Sequence, residues 1–358
     1  MNEVTKIDGI GSSVRRTEDK KFLTGKGKYT DDINRPGQVQ AYFLRSDVAH
    51  AKIKKIDIKN AQSAPGVVGV FTGDDIAADK VGGPICGWVV PCRDGSATKE
   101  PPHPLLAQGK VRFVGDAIAV VLAETAEQAK SGAELIDVDY EELSPVVDFE
   151  NAGDGAQIHD EVPNNCYFDW ELGDEKATAD ALSGAKKIVK LRVRNNRLVP
   201  NAMEPRCALA EFDNLDDSYT LHTTSQNPHL TRLVLAAFMF AIPESKLRVI
   251  APDVGGGFGS KIYVYIEEAV CVWASKKVGR PVKWTADRTQ AFLTDCHGRD
   301  HVNDVQLGLD ENNKIVGLRV DTVCNLGAYL SAFSVVVPTY LHGLSLIHIS
   351  EPTRPRII

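Results

Sequence analysis

No two cysteines in this 358-residue chain stand in a C-x-x-C spacing. The seven present, Cys86, Cys92, Cys166, Cys207, Cys271, Cys296 and Cys324, are odd in number and scattered. That excludes a disulfide framework, a structural zinc site and an iron–sulfur cluster held within the sequence. Most of the thiols are expected to be reduced, small and apolar in their packing. The nine histidines form no H-E-x-x-H or comparable ligand spacing. A metal that acts here is therefore not expected to be gripped by side chains of this chain. Long apolar runs are missing too. The longest candidate, 233–242, is too short to span a bilayer and follows a helical pattern. The opening Met1-Asn2-Glu3-Val4-Thr5-Lys6 lacks the apolar stretch of a secretory signal, which leaves the cytoplasm as the expected location. Basic runs are absent. Net charge is −7, so nothing tracks a phosphate backbone and nucleic acid is not an expected partner.

What is present is ordinary for a globular protein, with 43% hydrophobic and 25% charged residues in a chain long enough for two domains. The first part reads as α+β. Alternation or β-branched runs predict strands at 38–44, 53–58, 67–71, 117–123 and 136–140, with 67–71 buried. Thr125 caps a helix, with Gln128 closing a capping box. Residues 81–104, rich in Gly, Pro and Ser, read as a long excursion rather than a packed element. The polar stretch 148–165, with Gly153 and Gly155, marks the boundary between a first domain at 1–160 and a second at 161–343. The second part predicts strands at 187–194, 208–212, 219–224, 247–251, 282–285, 302–309 and 315–324. Asn227 caps a helix with Pro228 at its first position and an apolar stripe of Leu230, Leu233, Val234, Ala237 and Phe238. Another helix runs to about Lys277.

The strongest local signal is Asp253-Val254-Gly255-Gly256-Gly257-Phe258-Gly259-Ser260-Lys261, between a strand and a helix. Its glycines permit positive φ and bring backbone amides close to a ligand. The loop is expected to open that helix, whose electropositive N-terminus favours phosphate or another electron-rich group. It fits neither a P-loop nor the G-x-G-x-x-G spacing, so on spacing alone it is either a ligand cradle or a structural turn. A second strand-to-helix corner, Thr223-Thr224-Ser225-Gln226-Asn227-Pro228-His229, offers the Gln226 amide as donor and acceptor. The two corners are candidates to converge on one polar ligand. Asn227 reads as a cap only. Glu204-Pro205-Arg206 reads as a buried ion pair or a site element, with the structural role preferred, Glu267-Glu268 as a solvated helix face, and His297 as a weak proton-transfer or ligand candidate.

Together these motifs resemble one family, the molybdopterin-binding large subunits of the xanthine dehydrogenase and aerobic carbon monoxide dehydrogenase group. Trp284-Thr285-Ala286-Asp287-Arg288, His297-Gly298-Arg299-Asp300-His301, Asn325-Leu326-Gly327-Ala328-Tyr329 and Pro338-Thr339-Tyr340 extend the match in order. Gly11, Arg15-Arg16, Gly25 and Tyr29-Thr30-Asp31-Asp32 resemble the opening of these subunits. The resemblance implies an α+β chain: an aldehyde oxidase/xanthine dehydrogenase-like α/β hammerhead domain at 1–160, then the first half of a mixed α/β molybdopterin-binding domain at 161–343. Residues 344–358 are read as an adapter-derived artefact, because Leu344-Ser345-Leu346-Ile347-His348-Ile349-Ser350-Glu351-Pro352-Thr353-Arg354 matches a translated sequencing-library adapter.

The resemblance further implies a molybdenum–molybdopterin cofactor, in its cytosine dinucleotide form, held by its pterin rather than by protein side chains. It implies hydroxylation of a small molecule (carbon monoxide, an aldehyde or an N-heterocycle) with water as oxygen source. Electrons would leave through a [2Fe–2S] small subunit and a FAD-binding medium subunit, in a dimer of heterotrimers. Gln226 matches the glutamine that bonds an oxygen ligand of the metal and is the catalytic candidate. Gly256, Gly257, Phe258 and Gly259, with Gln226, are the cofactor-binding candidates. Purine-oxidising relatives continue the loop with Gly-Lys-Glu, whereas Ser260, Lys261 and Ile262 stand here, a departure that argues against purine hydroxylation. The general-base glutamate is expected beyond Gly343, so the chain alone is expected to be inactive. The competing readings are a non-catalytic module that only binds partner subunits and a nucleotide- or phosphate-binding domain.

Overall fold

The computed structural model describes residues 9–11 and 16–340. Arg15 and the tail assigned to 344–358 lie outside them. Seven strands form one mixed sheet. In chain order they are β1 (Val39–Arg45), β3 (Val67–Thr72), β5 (Ala117–Ala123), β8 (Cys207–Asp213), β9 (Ser218–Thr223), β10 (Leu247–Ile250) and β11 (Val282–Thr285). Their order across the sheet is β10-β9-β8-β11-β1-β5-β3. A second sheet joins β4 (Lys110–Val111), β2 (Ala51–Asp57) and β6 (Asp137–Glu142), and a third joins β13 (Ile315–Cys324), β12 (His301–Leu309) and β7 (Lys187–Asn195).

The large sheet crosses the position near 160. Strand β1 pairs antiparallel with β5 and parallel with β11, Val39 facing Val282. Phe43 of β1 and Trp284 of β11 meet edge to face, 5.8 Å between centroids, in one shared core. Strand β5 is buried at every position, as a run of apolar residues on both faces requires.

The strands expected at 38–44, 53–58 and 117–123 are present as β1, β2 and β5. The uneven spacing of Ile53, Ile56 and Ile58 has a cause. A bulge between Ile53 and Lys55 inserts one residue against β6 and turns Ile53 and Ile56 toward one cluster. Strand β3 departs from expectation. It is the sheet edge, and only Val70 is buried in it. The capping box at Thr125 forms by half. Thr125 Oγ1 accepts from Gln128 N at 3.2 Å, but Gln128 Oε1 is buried with no partner among the described residues. The excursion at 81–104 is irregular yet packed, because Cys86 and Val90 bury against Leu330 and Val335.

Asn227 caps the helix Pro228–Leu233, accepting from Leu230 N at 3.3 Å. The chain then widens into a π-helical turn, Val234–Met239. The wider turn rotates the buried face, so Val234, Leu235, Ala236 and Met239 are inside while Leu233 and Phe238 of the expected stripe are exposed. Helix Glu175–Ser183 was not expected. Its segment is polar apart from alanines and Leu182, and Asp174 caps it. All seven cysteines are free, four of them buried. Among the described residues no helix is long and apolar enough to cross a membrane.

Asp116, 3% exposed at the foot of β5, accepts from Arg112 N at 3.1 Å. Burial pushes its carboxyl up to about 7, against partial relief from Arg112 and Arg45. A raised carboxyl pKa in the folded state binds a proton that the unfolded chain has lost. Stability therefore falls as pH climbs from the unfolded value toward about 7 and stays reduced above it. Asp116→Asn keeps the acceptor and removes the charge. The variant should melt several degrees above the parent at pH 8 and close to it at pH 4. An unchanged difference across that range would refute a buried, titrating Asp116.

Candidate functional site

Strands β9 and β10 are neighbours and run parallel, with Leu247 facing Tyr219 and Ile250 facing His222. Their C-terminal ends therefore emerge on the same edge of the sheet, where ligands of open α/β sheets bind. Gln226 follows the end of β9 and the glycine loop follows the end of β10, so the topology delivers both corners to one place.

The loop and Gln226 make direct contact. Gly259 N–H donates to Gln226 Oε1 at 3.0 Å, and Gln226 N–H donates to Lys261 O at 2.8 Å. The first bond fixes the orientation of the side-chain amide and leaves its Nε2 hydrogens as donors. A Cβ built on Gly257 would overlap the Gln226 side chain. Gly256 at φ +99°, Phe258 at φ +51° and Gly259 at φ +91° carry the left-handed turns that fold the loop. Among the described residues, no acceptor takes the amide hydrogens of Gly257 or Phe258. Gly257 is buried, while the Phe258 ring is 75% exposed beside Gly256 and Ala202. The loop is thus a backbone cradle roofed by an amide side chain.

One expectation fails here. The loop does not open a helix. A single turn, Ser260–Ile262, intervenes, and the long helix runs Ile266–Val278. Its N-terminus faces buried carboxylates rather than a ligand, because Glu267 and Glu268 are 1% and 5% exposed and not a solvated face. Glu267 takes Arg206 Nη1 and Arg45 Nη2, each at 2.7 Å, and Arg206 Nε reaches Asp295 at 2.6 Å. Burial alone would raise the Glu267 carboxyl; the two guanidiniums overcome that and hold it down at about 2. Burial also pushes the Glu268 carboxyl up, with partial relief from Thr223 Oγ1, which donates to it at 2.5 Å. Tyr265, its ring 3.7 Å below the Arg206 guanidinium, donates to Ser260 O and accepts from Cys296 N. This buried layer ties β1, the lead into β8 and the helix to the floor of the loop.

Glu204 pairs with Lys261, and Arg206 with Glu267 and Asp295. His297 lies apart from the cradle residues in every contact it makes. Its Nδ1 accepts from Arg197 Nε at 2.6 Å and its Nε2 donates to Phe292 O at 3.0 Å, so the imidazole is spoken for at both nitrogens. Arg45 and Asp295 were missed as site supports, and Lys261 and Glu204 were not read as partners of each other, since the residues they meet are remote in sequence. Among the described residues no cluster of His, Cys, Asp or Glu could hold a metal ion.

The site is thus a sheet-edge loop of backbone amides, roofed by a carboxamide side chain, in an α/β chain. Residues 158–347 match the Molybdopterin cofactor-binding domain, and residues 24–144 match the Aldehyde oxidase and xanthine dehydrogenase a/b hammerhead domain. The nicotine 6-hydroxylase large subunit of Paenarthrobacter nicotinovorans is 34% identical over 89% of this chain and 38% of its own length. The carbon monoxide dehydrogenase large chain of Hydrogenophaga pseudoflava is 34% identical over 87% of this chain and 39% of its own. The crystal structure of quinoline 2-oxidoreductase from Pseudomonas putida 86 superposes with a TM-score of 0.79 at 34% identity, over 90% of this chain and 40% of that one. The chain belongs to the xanthine dehydrogenase/carbon monoxide dehydrogenase family of molybdopterin-binding large subunits. It has the α/β hammerhead domain followed by part of the mixed α/β cofactor-binding domain, and spans about two fifths of the length of the two curated relatives just named.

Proposed function

We propose that the chain is the cofactor-cradling portion of a molybdenum hydroxylase large subunit, with the hammerhead domain at 1–160 and the first half of the cofactor domain at 161–343. The observation that carries this reading is the Gln226–Gly259 bond, which roofs two amides, those of Gly257 and Phe258, that find no acceptor among the described residues. The residues fit a pterin-held metal. Gly257 leaves the space that any Cβ would fill, and the donors are backbone and carboxamide groups suited to electron-rich atoms. When bound, the molybdenum–molybdopterin group supplies two-electron redox chemistry, for which this set of residues has no substitute.

The chain's own residues do the holding. Gly256 and Gly259 turn the backbone, and Gly257, Phe258 and the Nε2 hydrogens of Gln226 are the donors that would hold the cofactor. The substrate is a small molecule such as carbon monoxide, an aldehyde or an N-heterocycle, with water as oxygen source. The names of the relatives keep carbon monoxide and N-heterocycles in view, and Ser260-Lys261-Ile262 speaks against purines. The cytosine dinucleotide form of the cofactor, a [2Fe–2S] small subunit, a FAD-binding medium subunit, assembly as a dimer of heterotrimers and a cytoplasmic setting complete the proposal. A phosphate-binding reading loses its main support, because the loop does not run into the helix N-terminus.

Gln226→Ala in the assembled enzyme should lower turnover about a hundredfold, the usual effect of deleting one preorganised donor, and change molybdenum content less than twofold. Turnover equal to the parent's would sink the role given to Gln226.

A further inference from the structure

We propose that Lys261 and Glu204 are positioning residues that clamp both ends of the glycine loop and hold it ready before any ligand arrives. This rests on the reading of the loop as a cofactor cradle. Lys261 is buried, its side chain only 1% exposed. Its ammonium donates to Glu204 O at 2.8 Å and to Glu204 Oε2 at 3.0 Å. The same Glu204 Oε2 accepts from Gly255 N at 2.7 Å, and Glu204 N donates to Gly255 O at 3.2 Å. One carboxylate thus grips residue 255 directly and residue 261 through its side chain. Lys261 O, in turn, accepts the backbone N–H of Gln226 at 2.8 Å. The clamp therefore also sets how far Gln226 stands from the loop it roofs.

The loop needs such a clamp. Gly256, Phe258 and Gly259 all hold positive φ, and Phe258 does so against the steric preference of a residue with a Cβ. Free in solution, such a backbone would spread over many conformations. Stability alone does not explain the pair. Burial works against the charged ammonium, pushing the Lys261 pKa down despite Glu204. Glu204 Oε1 is buried with no partner among the described residues. A buried ion pair with an unsatisfied oxygen adds little to folding, and apolar replacement of both partners is often neutral or better. Position is what the pair supplies.

The test uses Lys261→Met, Glu204→Gln and the double variant. Hydrogen exchange is followed in the cofactor-free full chain, and molybdenum and pterin content in the assembled enzyme. Each single variant should speed exchange across 253–261 about tenfold, while exchange in β8 and in helix Ile266–Val278 stays at the parent rate. In the double variant no charge is left unpaired, so the melting temperature should recover. Loop exchange should stay fast and cofactor content should remain down about fivefold or more. If loop protection and cofactor content recover together with the melting temperature, the pair is merely structural and the inference falls. Should Lys261→Met not fold, Glu204→Gln carries the test by itself, because it keeps an acceptor for Gly255. Failure of the cradle reading is separable. It would show as full cofactor in Gly257→Val, whereas failure of this inference alone would show as cofactor lost in Gly257→Val but retained with a protected loop in Lys261→Met.

Discussion

Glu267→Leu is expected to remove about 3–5 kcal/mol of folding stability, the range for breaking a buried ion pair from one side. The variant leaves two guanidiniums without their carboxylate. The side chains of Arg45 and Arg206 are 7% and 4% exposed, and Glu267 is the group that both share. Arg206 retains Asp295 at 2.6 Å and the ring of Tyr265, whereas among the described residues Arg45 keeps one hydrogen-bond acceptor, Gly115 O at 3.3 Å. The damage should therefore centre on Arg45, which lies in β1, the strand that fuses the two halves of the large sheet. The sign of the pH dependence follows from the depressed carboxyl. Held at about 2 when folded, Glu267 stabilises the parent fully above the unfolded carboxylate range, and that stabilisation is lost as pH falls toward 2. The gap between parent and variant should thus be widest at neutral pH and shrink in acid. Denaturant unfolding at pH 7 and pH 3 measures both quantities. A loss under about 1 kcal/mol at pH 7 would show that the network is dispensable.

The same residue shows where sequence reading stops. Two glutamates in the first turn of a helix look solvated, because a charge is rarely buried without a partner and no partner is nearby in sequence. The partners lie 222 and 61 positions away, at Arg45 and Arg206. The fused sheet is hidden for the same reason. Alternation in β1 reports that a strand exists, but nothing local says that Val39 pairs with Val282. Strands whose signal is their own periodicity were legible, and β5, β8 and β12 lie within a residue or two of their expected bounds. The π-helical turn after Leu233 was not, since periodicity assumes 3.6 residues per turn and the widened turn shifts the buried face. Gln226 and the glycine loop were legible as corners because each carries a local signal, a cap and a glycine run. Their meeting depended on β9 and β10 being parallel neighbours, and it is the meeting that makes a site.

That meeting gives Gly257→Val a large functional effect. Gly257 does not need a glycine for its backbone, since its φ lies outside the left-handed region; it needs one for space. Any Cβ there would overlap the Gln226 carboxamide, so the side chain must swing away and release the 3.0 Å bond from Gly259 N–H. Overpacking of this kind disturbs local geometry by about 1–3 kcal/mol. Delivered to a cofactor site, that corresponds to roughly a 5- to 150-fold loss of cofactor affinity. Molybdenum and pterin content of the purified enzyme should fall accordingly, with turnover falling in proportion and the melting temperature of the cofactor-free chain lowered by only a few degrees. Gly259→Ala is the control. Its φ of +91° makes alanine strained, but nothing lies within 4 Å of the added Cβ, so the Gln226 roof stays in place. Strain without displacement should reduce cofactor content less than displacement does. Full loading of Gly257→Val would remove the glycine loop from the cofactor site, and equal losses in the two variants would mean that loop conformation, not the closeness of Gln226 to Gly257, governs binding.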